Sequence, residues 1–216
     1  IPIVERIPDE RAREMGLDLS LPPKTDEEEA RRVTEWSVRP REWGKFLIDV
    51  FDLWVRQDVG RVFIQSFDSA LANWTQMGPA VCVSSSVCGN ALVMEHNGDV
   101  FACDHFVYPE YRRGNIVTDD VRALVDSDEQ RAFGNSKRDA LPGQCLRCAV
   151  RFACNGGCLK HRFLTTPEGE PGLNYLCRGY QAFFEHIRPA MDIMADLLRN
   201  QRPAADVMRI MKDGSA

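Results

Sequence analysis

Apolar positions follow one pattern up to about residue 79 and another beyond it. Ile1, Ile3 and Val4, broken by proline and charge, predict a short strand over residues 1–6, and the charged, proline-containing stretch 7–24 predicts a loop. Thr25-Asp26-Glu27-Glu28 is a capping-box pattern, with a hydroxyl at the cap and a carboxylate three residues on. It predicts a helix reaching about Trp36. Pro40 suits a first helical position, where a missing N–H costs nothing. Behind it Trp43, Leu47, Phe51 and Trp54 recur every three to four residues and form one buried face. Gly60 ends that helix, Arg61–Gln65 reads as a buried strand and residues 67–74 as a short helix. A strand–helix–strand order of this kind fits part of a parallel α/β barrel. Closing such a barrel would take roughly five or six further units.

From about residue 80 the elements shorten. Ala91 to Glu95 and Asp99 to Cys103 flank Asn97-Gly98, a strong hairpin signal. Ser127-Asp128-Glu129-Gln130 is a second capping box and opens a short helix. Leu141 to Cys158 reads as loop. After Cys177 an amphipathic helix carries Phe183, Phe184 and Ile187; Pro189 is expected to kink or restart it, and Met191, Met194, Leu197 and Leu198 continue its face. The tail from Arg202 has little signal.

Composition narrows the function classes. The chain has 216 residues, 44% of them hydrophobic, and a formal net charge of −5. That balance lacks the basic footprint of a nucleic-acid binder. No apolar run approaches the roughly 18 residues of a membrane span. With no signal peptide in view, the expected location is cytoplasmic, and the glycosylation sequon Asn73-Trp74-Thr75 is read as incidental. A start at Ile1 without Met leads to the expectation that the chain is part of a longer protein.

Eight cysteines carry the candidate chemistry: Cys82, Cys88, Cys103, Cys145, Cys148, Cys154, Cys158 and Cys177. In a reducing compartment, clustered cysteines bind metal or do redox work more often than they pair. The densest run, Cys145 to Cys158, has the spacing C-x2-C-x5-C-x3-C, and Asn155-Gly156-Gly157 supplies permissive backbone for a tight wrap. Zinc ribbons pair two C-x2-C knuckles, and only one is present. Irregular spacing with long excursions suits bulkier four-cysteine iron–sulfur clusters, while zinc remains the alternative on spacing alone. His105 and His161 lie near cysteines, and Arg147, Arg151, Lys160 and Arg162 crowd the dense run, either offsetting cluster charge or forming a solvated face.

Several segments together resemble the SPASM domain of anaerobic sulfatase-maturating enzymes, members of the radical-SAM group. They are Cys82-Val-Ser-Ser-Ser-Val-Cys88-Gly-Asn, Asn97-Gly-Asp-Val-Phe-Ala-Cys103-Asp104-His105-Phe106, Gly114-Asn115-Ile116, the dense run, and Leu173-Asn-Tyr-Leu-Cys177. Residues 1–79, with Ile1-Pro-Ile-Val-Glu-Arg6 and Phe63-Ile-Gln-Ser-Phe-Asp68, resemble the end of that family's barrel. Leu159 departs from the proline often found there. The implied fold is an α/β remnant of a radical-SAM barrel over 1–79, an irregular α+β SPASM domain with a hairpin over 80–190, and a C-terminal helix and tail over 191–216.

The resemblance implies two auxiliary 4Fe–4S clusters, one on Cys82, Cys88, Cys103 and Cys158 and the other on Cys145, Cys148, Cys154 and Cys177. Spacing alone suggests a simpler split, with the dense run holding one cluster by itself. The implied activity oxidises a cysteine or serine of a sulfatase polypeptide to formylglycine. S-adenosylmethionine is cleaved at a third 4Fe–4S cluster, and an external electron donor and acceptor take part. Asp104 falls at the family's catalytic aspartate, and burial beside an anionic cluster is expected to raise its pKa and make it a better base. The C-x3-C-x2-C triplet that holds the SAM cluster is absent from these residues, so this chain alone is expected not to cleave SAM. Two other readings are a SPASM enzyme acting on another peptide and a non-catalytic zinc-binding module.

Overall fold

The computed structural model describes residues 2–18, 21 and 23–213. Ile1, at the start of the predicted first strand, lies outside them. Residues 2–6 form no strand but a single antiparallel bridge, Arg6 to Val33. Around it Val38 N donates to Ile3 O (3.0 Å), Thr34 N to Glu5 O (2.9 Å) and Ile7 N to Arg32 O (3.0 Å). This pairing also explains why the helix opened by Thr25 stops early. Helix α1 (Asp9–Glu14) replaces part of the expected loop, and α2 covers only Asp26–Ala30, capped as expected by Thr25 Oγ1, which accepts from Glu28 N at 3.1 Å. Residues 31–38 spend their backbone groups on the 3–7 segment instead of on another helical turn.

Helix α3 (Pro40–Gln57) follows the predicted periodicity and buries Leu47, Phe51, Trp54 and Val55. The predicted strand at Arg61–Gln65 does not form. Val62 is 48% and Phe63 79% exposed, so the run has β-prone residues but no sheet to join. Trp54 Nε1 holds it by donating to Val62 O at 2.7 Å, and α4 (Gln65–Trp74) follows directly. Among the described residues the strand–helix–strand order expected of a barrel segment is therefore missing.

The later chain carries a three-stranded antiparallel sheet in the order β1 (Val93–Met94), β2 (Asp99–Phe101), β3 (Arg112–Asn115). The Asn97-Gly98 hairpin forms as expected: Asn97 Oδ1 accepts from Asp99 N at 3.0 Å, and Gly98 takes a φ of +85°, open to glycine at no steric cost. The third strand pairs antiparallel with β2, and Asn115 Nδ2 adds bonds to Asn97 O (3.0 Å) and Asp99 Oδ1 (3.1 Å). Next come α5 (Val121–Val125) and α6 (Asp128–Asp139), the latter capped by Ser127 Oγ as its sequence predicts. The expected loop from Leu141 to Cys158 contains two helical turns, α7 (Gly143–Leu146) and α8 (Arg151–Cys154). A two-stranded ladder, β4 (Leu164–Thr165) with β5 (Pro171–Leu173), leads to the last long helix.

That helix, α9 (Cys177–Arg199), runs through Pro189 without restarting. Pro189 lies on its exposed side, where water can serve the carbonyl that proline leaves unpaired. The expected division between residues 190 and 191 thus falls inside one helix. Beyond it α10 (Val207–Asp213) orders the weakly patterned tail and buries Val207. The main core joins α3, α4, α8, α9 and α10. Phe51 lies at its centre, with ring centroids 5.2 Å from Phe67, 5.7 Å from Trp54 and 6.3 Å from Phe183. Each such side chain, fully buried, contributes about 1.5–3 kcal/mol, which anchors the elements bearing the cysteines. No helix among the described residues is long and apolar enough to cross a membrane.

Candidate metal centre

The eight cysteines sit at element ends and turns. Cys82 opens a 3-10 turn over Cys82–Ser84, Cys103 follows β2, Cys145 lies in α7, and Cys154 closes α8. Cys158 precedes the turn Leu159–His161, and Cys177 is the first residue of α9, where the helix dipole favours a thiolate. All eight are free thiols; Cys82 is exposed and the rest are half-buried.

Neighbouring cysteines act on one another electrostatically. After burial, which acts first, negative charge on Cys82 and Cys158 pushes the Cys88 thiol up, Cys158 acts on Cys103, and Cys82 acts on Cys158. Likewise Cys148 acts on Cys145, Cys145 and Cys148 act on Cys154, and all three act on Cys177. Burial drives Cys103 and Cys177 up to about 12 and Cys154 up to about 11. Thiols held this high give up their protons to a cation that repays the charge.

The donor set fits a thiolate-ligated metal centre. Cys103 Sγ accepts from the His105 N–H, Cys154 Sγ from the Gly156 N–H and Cys158 Sγ from the Lys160 N–H, each two residues on. Such bonds favour the charged sulfur and help set the potential of a bound cluster.

The loops bearing these thiols are bound to one another. Lys137, on α6 and only 1% exposed, donates from Nζ to the carbonyls of Cys82 (2.5 Å), Val83 (3.1 Å) and Ser85. Arg162 donates to the carbonyls of Lys137 (2.6 Å), Asn155 (2.7 Å), Gly156 (2.9 Å) and, more weakly, Gly157 (3.4 Å). Asn155 Nδ2 reaches Ser84 O at 2.9 Å, and Asn73 Nδ2, the sequon asparagine, reaches Ser84 O at 3.0 Å and Ala153 O at 3.1 Å. Asn174, buried, donates to Gly156 O (3.0 Å) and Cys158 O (3.3 Å) and accepts from Leu176 N (2.8 Å). Gly134 lets α6 lie against the Cys88 backbone, where a side chain would strike the Cys88 carbonyl.

Of the four cations flagged around the dense run, Arg147, Arg151 and Lys160 are exposed, and only Arg162 turns inward. Lys137 has no sequence signal, since it stands in a charged helix, DEQRAFGNSKRD, that reads as solvated throughout.

Asp104 accepts from Cys103 Sγ at 3.0 Å. It is exposed rather than buried, and the Cys103 bond followed by His105 holds its carboxyl below the usual range, the reverse of the expected direction. One ligand atom each of Cys103, Asp104 and His105 lies within 4.8 Å of the others. His105 Nδ1 stands 3.3 Å from Cys158 Sγ, and its ring faces that of buried His161 at 6.4 Å. Burial takes His161 down to about 4, and its Nδ1 has no hydrogen-bond partner.

A model of the iron–sulfur cluster-binding domain SPASM matches residues 82–149. A serine-type anaerobic sulfatase-maturating enzyme of Bacteroides thetaiotaomicron is 51% identical over 183 residues, 85% of this chain and 44% of that protein. Its counterpart in Klebsiella pneumoniae is 36% identical over 67% of this chain and 35% of that protein. The cysteine-type enzyme of Clostridium perfringens is 29% identical over 76% of this chain and 44% of its own length. Among solved structures, native anSMEcpe with bound AdoMet superposes with a TM-score of 0.66 at 28% identity, over 76% of this chain and 44% of that one. The chain spans less than half the length of these curated relatives.

Proposed function

We propose, because this chain belongs to the anaerobic sulfatase-maturating enzyme family of radical-SAM/SPASM proteins, that it is the part that carries two auxiliary 4Fe–4S clusters. Cys82, Cys88, Cys103 and Cys158 hold the first, and Cys145, Cys148, Cys154 and Cys177 the second. The cluster-bearing segment runs from Cys82 into α9, and residues 1–79, whose α3 and α4 share its core, adjoin the barrel of the longer protein. The observation that carries the reading is the match of residues 82–149 to an iron–sulfur cluster-binding domain, in a chain whose eight cysteines are all free. When bound, clusters of this kind supply one-electron transfer.

The longer protein acts on a sulfatase polypeptide, oxidising a cysteine or serine side chain to formylglycine, with S-adenosylmethionine and a further cluster held outside these residues. An external donor and acceptor exchange electrons with it. In this scheme Asp104 takes the proton from the substrate thiol or hydroxyl. Its position supports the role: it is exposed and directly follows Cys103 in the chain, where a substrate side chain can approach. The N–H groups of His105, Gly156 and Lys160 steady the sulfurs they face, and the α3–α4–α9 core keeps Cys154 and Cys177 in register.

The test is iron, acid-labile sulfide and absorption on the complete protein purified without oxygen, followed by turnover of sulfatase peptides carrying serine or cysteine. The auxiliary sites account for about eight irons and eight sulfides. Two zinc ions in their place, without sulfide, would overturn the cluster reading. Full turnover by Asp104→Asn with clusters intact would remove Asp104 from the mechanism.

A further inference from the structure

Lys137, buried, and Arg162, half-buried, place two positive charges within electrostatic reach of each other and of the cysteines. The Lys137 ammonium is closed in by carbonyls of the Cys82 turn, and the Arg162 guanidinium by carbonyls of the turn between Cys154 and Cys158. Arg162 also binds the backbone oxygen of Lys137 itself, at 2.6 Å. A buried charge is costly unless an opposite charge answers it, and two adjacent cations add repulsion. Carbonyl dipoles offset only part of this. The anions in reach are cysteine sulfurs: Cys88, Cys82 and Cys158 act on Lys137, which acts in turn on Cys154, and Cys145, Cys154, Cys158 and Cys88 act on Arg162.

We infer that Lys137 and Arg162 form one buried cationic strut shared by the two thiol sets, binding the turns at 82–85 and 154–158 together and raising the reduction potential of both clusters. The inference rests on the two-cluster reading. Its sign follows from charge. Reduction adds an electron to an already anionic centre, and a fixed cation nearby stabilises the reduced form more than the oxidised one. Both residues are positioning residues; neither needs to touch substrate. The simpler possibility, a lock made only of hydrogen bonds, predicts no common change in potential.

The test is a potentiometric titration of the iron-loaded complete protein, followed by electron paramagnetic resonance, for wild type, Lys137→Gln, Arg162→Gln and the charge-conserving Arg162→Lys. Each Gln variant is expected to raise the oxidised-to-reduced ratio of both clusters about tenfold at a fixed ambient potential. That is a fall of about 59 mV for each one-electron couple. Arg162→Lys is expected to retain iron and to titrate like wild type. Iron-replete Gln variants in which neither cluster, or only one, moves would overturn the shared strut. If the Gln variants lose iron, the outcome turns on Arg162→Lys: retained iron with wild-type potentials supports the shared charge, and lost iron shows that fork geometry holds the turns and overturns it. Zinc in the wild-type protein would strike down the cluster reading itself, and the metal count distinguishes that failure from this one.

Discussion

Gly44 in α3 and Gly179 in α9 meet backbone to backbone: a Cβ built on Gly44 would stand 2.7 Å from Gly179 Cα, and one built on Gly179 would stand 3.0 Å from Gly44 N and closer still to the Pro40 carbonyl oxygen. No side chain is there to yield, so the helices must separate. Gly179 is two residues from Cys177, and the separation therefore reaches a sulfur of the second set. Gly179→Ala is expected to cost about 1–3 kcal/mol, the usual range for overpacking, and to lose iron from that set first. Thermal unfolding and iron content of the variant check this together. A wild-type melting point would show that the helices can shift apart freely.

The interleaved sets make an unusual stoichiometric prediction. Single alanine substitutions at Cys103 and at Cys158, 55 residues apart in sequence, should leave the same surviving cluster spectrum and about four fewer irons each. Substitutions at Cys154 and Cys158, near neighbours in the chain, should leave different survivors. Paramagnetic spectra of the four-way comparison with Cys177→Ala decide it. Identical survivors for Cys154→Ala and Cys158→Ala would mean that the dense run holds one cluster by itself.

Asn174 joins the Cys158 turn to the start of α9 with three hydrogen bonds from one buried side chain. Asn174→Ala leaves buried backbone groups unpaired, at about 1–3 kcal/mol for each one left dry. The expected result is a lower unfolding midpoint and faster loss of iron to a chelator. Asn174→Asp keeps the acceptor for Leu176 N but turns a carboxylate oxygen on the Gly156 and Cys158 carbonyls, and should destabilise at least as much as Ala.

His161 predicts an acid-side instability. Its pKa is lowered by burial to about 4 in the folded chain, against an ordinary value of 6.5. Between those values the unfolded chain binds a proton that the folded one refuses, so stability falls as pH drops from about 6.5 towards 4 and is fully present above 6.5. The depression corresponds to about 3 kcal/mol at its limit. His161→Phe, which gives up a ring nitrogen that has no partner, should flatten this part of the profile. Urea midpoints at pH 7 and pH 5 for both proteins measure it.

The parts of the fold legible in the sequence are those settled by local chemistry. Thr25 and Ser127 cap their helices, Asn97-Gly98 turns its hairpin, and Leu47, Phe51 and Trp54 bury the face their spacing draws. Local signals failed where a distant partner decided. Arg61–Gln65 has strand-forming residues but no neighbouring strand, whereas Arg112–Asn115 has little β character and is recruited by Asn97, Gly98 and Asp99. Among site residues the cysteines stand out by type and spacing. Lys137 does not, because a lysine on a polar helix reads as solvent-facing until the carbonyls of Cys82, Val83 and Ser85 are seen to surround it. Asp104 is exposed rather than buried, although Ala102 two residues before it is fully buried.

The threading of the two thiol sets through one another also limits how this region can be cut or transplanted. In the proposed assignment the first set spans residues 82 to 158 and the second 145 to 177, so no single break in the chain separates a complete quartet from the other. A truncation before Cys177 leaves one quartet incomplete, and one before Cys158 ruins both. During synthesis neither quartet is complete until Cys158 has emerged, and by then three sulfurs of its neighbour are already exposed to the same supply of metal. Residues 82–177 therefore behave as one indivisible unit of inheritance and of design, to be grafted or lost whole.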